Sequence, residues 1–125
     1  ACRDAKIHDA IIERDQGYGG VVYENGKNFS GGEKQRLEIA RVLAQDPTII
    51  IMDEATSALD SATEYEVVSS VAARGITCII IAHRLSTIRD CDEIIVMENG
   101  VIAERGTHDE LYRSNGIYTK LITNE

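Results

Sequence analysis

Two adjacent carboxylates, Asp53 and Glu54, end the apolar run TIIIMDE, and Ser30, Gly31, Gly32 and Glu33 open the Arg-containing apolar segment KQRLEIARVL. A strand-end Asp followed by Glu suits a magnesium ligand beside a base for water. A helix opening near Ser30 presents bare backbone N–H groups and a partial positive charge, which together make an anion site. Glycines there let the backbone approach a phosphate closely, and Ser30 adds a hydroxyl donor. The same S-x-x-E spacing is also that of a capping box, in which Glu33 turns back on its own helix. His83 follows a second apolar run, ITCIIIA, and should emerge at the same sheet edge as Asp53, where open α/β sheets bind ligands. Read blandly, these are a helix cap, two solvated acids and a structural histidine; read together, they point to nucleotide phosphate chemistry.

Apolar periodicity supplies the elements that must position these groups. Residues 3–14 carry Ile7, Ala10, Ile11 and Ile12 at helical spacing, and residues 34–44 carry Leu37, Ala40, Leu43 and Ala44 on one face. Between them, residues 16–28 hold a glycine-rich loop, and Asp46-Pro47 closes the second helix. Residues 49–52 and 77–82 read as buried strands covered on both faces, with a helix over 61–74 stopped by Gly75. A helical turn at 85–89 precedes strands at 93–97 and 101–104, and the Asn99-Gly100 dipeptide between those strands is a strong hairpin signal. Thr107 and Glu110 form a capping box over 107–114, and a final helix covers about 117–122. Alternating strands and helices imply a parallel α/β core with the hairpin as an antiparallel edge.

Composition narrows the function classes. The 125 residues allow one compact domain, and 21 acidic against 13 basic residues (net −8) argue against a nucleic-acid surface and against attraction to anionic lipid. No run approaches the ~20 apolar residues that cross a bilayer. The chain opens inside an amphipathic helical pattern without a secretory signal, so its start is expected to be a truncation. Cys2, Cys78 and Cys91 are an odd number without metal-ligand spacing, which favours a reducing compartment over a disulfide framework.

The segments NFSGGEKQRLEIARVL and TIIIMDEATSALD, followed by IIIAHRLSTI, resemble the signature motif, Walker B strand, D-loop and switch histidine of the ATP-binding-cassette (ABC) ATPases, in that order. The match spans almost the whole chain. The resemblance implies the C-terminal half of a P-loop NTPase fold: a mostly parallel α/β sheet flanked by helices, part of the helical subdomain, and a terminal β-hairpin. It assigns residues 1–45 to the helical subdomain, 46–107 to the ATPase core and 108–125 to C-terminal helices. By the same resemblance Asp53 holds Mg²⁺, Glu54 polarises the attacking water and His83 contacts the γ-phosphate of ATP. Phe29, Ser30, Gly31, Gly32 and Glu33 would close on ATP seated in a partner subunit. Ser57, Ala58, Leu59 and Asp60 match the D-loop that crosses the dimer interface. Phe29 and Glu33 stand where the family usually has Leu and Gln, and a carboxylate is tolerable beside a triphosphate if it caps its own helix. Tyr23, Glu24, Asn25 and Gly26 occupy the loop that touches coupling helices of the membrane domains, which makes Glu24 a candidate transmission residue, with a plain solvated loop as the alternative.

The tail NGVIAERGTHDELYRSNGIYTKLI looks most like exporters that fuse membrane helices to the cassette, including peptide, lipid and drug exporters. Such a motor implies as partners a second nucleotide-binding domain, transmembrane domains and the N-terminal half of its own cassette, at the cytoplasmic face of the cell membrane, with no nucleic acid. The chain has no G-x-x-x-x-G-K-[ST], so it is expected to be inactive alone. Two other readings compete: a soluble ABC-type ATPase acting on DNA or ribosomes, and a non-catalytic half that only donates its signature loop. The acidic, insertion-free sequence disfavours the first, and Glu54 with His83 disfavours the second.

Overall fold

The computed structural model describes residues 1–123, and the chain divides into two compact units, Ala1–Ile81 and the residues from Ala82 onward. The first unit holds helix α1 (His8–Ile12), helix α2 (Gly31–Leu43), strand β1 (Ile49–Asp53), helix α3 (Ser61–Ala73) and strand β2 (Thr77–Ile81). Ser30 starts α2 as a capping box: its Oγ accepts from the Glu33 amide at 3.1 Å while Glu33 Oε1 accepts from the Ser30 amide at 2.9 Å. The helix therefore begins three residues before the apolar pattern announces it. It stops where Asp46, at φ +51°, precedes Pro47. Asp60 caps α3 by accepting from the amide and hydroxyl of Thr63, and Gly75 at φ +76° ends it.

Strands β1 and β2 pair in parallel, from Ile49 opposite Thr77 to Asp53 opposite Ile81. Ile50 and Met52 face a core with Ile39, Ala40, Leu43, Leu59, Val67 and Val71. The opposite face is bare: Ile49, Ile51, Ile79 and Ile81 are 59, 65, 50 and 48% exposed. Burial on both faces, expected from the continuous apolar runs, is thus not met, because helices cover one side of a sheet of only two strands. The first helix is also shorter than its pattern. Lys6 adopts φ +60°, a left-handed conformation that breaks a helix, so residues 2–6 form turns that still bury Ala5 and Ile7.

The second unit contains helix α4 (Leu85–Ile88), strands β3 (Ile94–Glu98) and β4 (Val101–Gly106), and helices α5 (His108–Ser114) and α6 (Ile117–Thr123). Asn99 and Gly100 both take positive φ (+52° and +79°), as the Asn-Gly hairpin signal requires. This hairpin is a two-stranded sheet of its own rather than an added edge of the parallel sheet. Thr107 caps α5, and the Glu104 carboxylate accepts from the amides of Ile117 and Tyr118 at the start of α6. Ile94, Val96, Leu111 and Tyr118 form this unit's core.

Candidate active site

Within the first unit, the two chemistry-bearing segments lie against each other. β1 delivers Asp53 at its last position, opposite Ile81, and Asp53 and Glu54 are both exposed. The chain then turns sharply. Glu54 takes φ +52°, its amide donates to Ile81 O at 2.9 Å and its carbonyl accepts from the Ser57 amide at 3.2 Å. A left-handed glutamate is an uncommon conformation, sustained only where the surroundings over-determine it. Thr56 and Leu59 anchor the turn inward, with Thr56 Oγ1 donating to the fully buried carboxylate of Glu64 at 3.3 Å, while Ser57, Ala58 and Asp60 stay exposed.

The start of α2 packs on this turn. A Cβ on Gly32 would stand 3.2 Å from Leu59 Cδ2 and 3.3 Å from Ala58 O, so this close approach needs glycine for packing alone. Among the described residues the amides of Gly31 and Gly32 have no protein acceptor, and Gly31 is exposed. Two amides without a protein acceptor at the positive end of a 13-residue helix suit a phosphoryl oxygen. Glu33 does not spoil that polarity. Its carboxylate is turned back on the Ser30 amide, which with the Ser30 hydroxyl, Arg14 and Arg36 holds it below its usual range.

Hard cations such as Mg²⁺ take oxygen ligands, commonly one or two carboxylates completed by water and substrate phosphate. The exposed carboxylate of Asp53 has the chemistry for that role, and among the described residues no group of three or more His, Cys, Asp or Glu forms a protein cage for a metal. His83 is exposed and lies two residues beyond the end of β2, at the start of the second unit. Asp60 is occupied as the α3 cap, and its bonds to Thr63 lower its carboxyl pKa.

Three participants escaped the sequence reading. Arg14 places its guanidinium 3.8 Å from the Phe29 ring centroid, donates to Asn28 O at 2.8 Å and lies 3.6 Å from Glu33 Oε1. Gln35 donates through Nε2 to Ser57 Oγ at 2.9 Å and Glu54 O at 3.3 Å, and accepts at Oε1 from the Ala58 amide at 2.8 Å. Glu64 is the third, a charged residue in the core row of α3. A glutamate at a helix position otherwise filled by Val67 and Val71 was a readable signal; the contacts of Arg14 and Gln35 had none.

Comparison with known proteins bears on the family and the fold. The profile of the family described as ABC transporter matches residues 4–57. The chain is 50% identical to ABC transporter B family member 2 of Dictyostelium discoideum over 100% of its own length and 9% of that protein. It is likewise 50% identical to the mitochondrial potassium channel ATP-binding subunit of Mus musculus, over 98% of this chain and 17% of that one. A solved structure described as a bacterial Atm1-family ABC exporter with ATP bound superposes with a TM-score of 0.90 at 47% identity, covering 96% of this chain and 21% of the other. The chain thus spans under a fifth of the length of these two curated relatives.

Proposed function

The chain belongs to the ABC transporter family, and we propose that it is the signature, Walker B and switch portion of a nucleotide-binding domain that drives export across a membrane. The observation that carries this reading is the packing of the α2 start on the turn after β1, which joins an anion-binding helix terminus to a pair of strand-end acids. In this reading residues 1–45 belong to the helical subdomain, 46–107 to the ATPase core and 108–125 to the C-terminal helices.

Each residue then has a defined task. Asp53 would hold Mg²⁺, whose charge offsets that of the phosphates. Glu54 accepts a proton from, or orients, the water that attacks the γ-phosphorus of ATP. His83 donates a hydrogen bond to a γ-phosphate oxygen. Ser30, Gly31 and Gly32 present donors to ATP seated on a second nucleotide-binding domain, with Phe29 and Glu33 shaping the loop from behind. Ser57, Ala58 and Asp60 face that partner across a two-fold dimer, and Leu59, expected in the same row, is instead buried and anchors the loop from behind.

The bare isoleucine face of the sheet supports a further partner, the N-terminal half of the same cassette with its phosphate loop. Exposed Val21, Val22 and Tyr23 beside Glu24 support docking against transmembrane domains. The exporter relatives support a membrane-associated location; the cytoplasmic face of the cell membrane is our assignment, although the mouse relative is mitochondrial by name. Peptide, lipid or drug cargo fits the tail, and the acidic composition gives nucleic acid no surface. ATP titration by calorimetry tests the division of labour. The 125-residue chain should give no micromolar binding while the full-length protein does, and tight binding by the chain alone would contradict the reading.

A further inference from the structure

The left-handed turn at Glu54 needs something to hold it, and the carboxamide of Gln35 is built for that task. Three of its four hydrogen-bonding directions are spent on the turn: Nε2 supplies both protons, to Glu54 O and Ser57 Oγ, and Oε1 receives the Ala58 amide. Only a carboxamide at this reach gives two donors and an acceptor together. Gln35 belongs to α2, one helical turn after the exposed Gly31 amide, and Gly32 on the same turn abuts Ala58 and Leu59.

We propose that Gln35 is a positioning residue for Glu54, fixing the backbone of the glutamate and the Ser57 and Ala58 segment to the helix that starts at Ser30. The proposal rests on reading Glu54 as the group that handles the attacking water. Gln35 acts only through the peptide backbone. A helix displaced at its N-terminus by a bound phosphate would carry the glutamate's carbonyl with it, so engagement of the Ser30 loop and readiness of Glu54 are linked inside one subunit.

The test uses the full-length protein with Gln35→Glu, Gln35→Ala and, as a reference, Glu54→Gln. Gln35→Glu preserves side-chain size and the acceptor for Ala58 but removes both donors and sets a carboxylate against the Glu54 carbonyl. Its kcat for ATP hydrolysis should fall about tenfold while KM for ATP stays within about twofold, the pattern of a transition-state effect. Amide exchange across residues 53–60 of the ATP-bound state should quicken in Gln35→Glu and more so in Gln35→Ala. A kcat within about twofold of wild type, unchanged exchange, or a KM that rises in step with any loss would overturn the proposal. Normal turnover by Glu54→Gln would instead remove the reading of Glu54, and exchange at residues 53–60 would then decide alone whether Gln35 holds the turn.

Discussion

Glu33 illustrates how a carboxylate can stand beside the proposed anion site without opposing its polarity. One oxygen is committed to the Ser30 amide, and the guanidinium of Arg14 lies within 3.6 Å, so its charge is directed into the protein's own cap. This has a consequence with a definite sign. The Ser30 amide holds the folded carboxyl below its ordinary value of 4.5, so the contribution to stability is complete above that pH and disappears as pH falls through the lower folded value. Glu33→Ala should cost roughly 0.5–1 kcal/mol near neutrality, as loss of half a capping box does. Its melting temperature should converge on that of the wild type in acid, and a gap that persists undiminished at about pH 3 would show that the cap is not what Glu33 supplies.

Much of this architecture could be read from the chain, because local chemistry decides it. Asp46-Pro47, Gly75, Asn99-Gly100 and Thr107 punctuate the elements where backbone sterics and capping require. The helix terminus and the strand-end acids were visible as residue types at a spacing. What periodicity does not carry is the identity of a neighbour. The run at residues 49–52 announces an apolar strand but not that one of its faces lies open, and nothing in KQRLEIARVL foretells three bonds from Gln35. Lys6 shortened the first helix for a similar reason, since the core claims Ala5 and Ile7 from outside a helix. The open face also makes a prediction. Each isoleucine taken from half exposure to burial contributes about 1 kcal/mol. Ile51→Asp should therefore block assembly with a separately supplied N-terminal half-cassette, as read by co-purification, while leaving the buried Ile50 and Met52 side untouched. Undiminished assembly would show that another surface receives that partner.

For the molecule as a whole, the proposed reading reconciles a net charge of −8 and an acidic pair at the end of β1 with a polyanionic ligand, because binding of that polyanion would be delegated. In that reading the amides of Gly31 and Gly32, a magnesium ion and a second domain would supply the positive potential, while Glu54 would be the one negative group the reaction needs near water. Glu54 is therefore the decisive residue, proposed to act on water rather than on nucleotide affinity. Glu54→Gln in the full-length protein, followed by ATP binding and steady-state phosphate release on the same preparation, measures this directly. Binding should persist while turnover drops at least about 100-fold. Phosphate release at the wild-type rate would contradict the account.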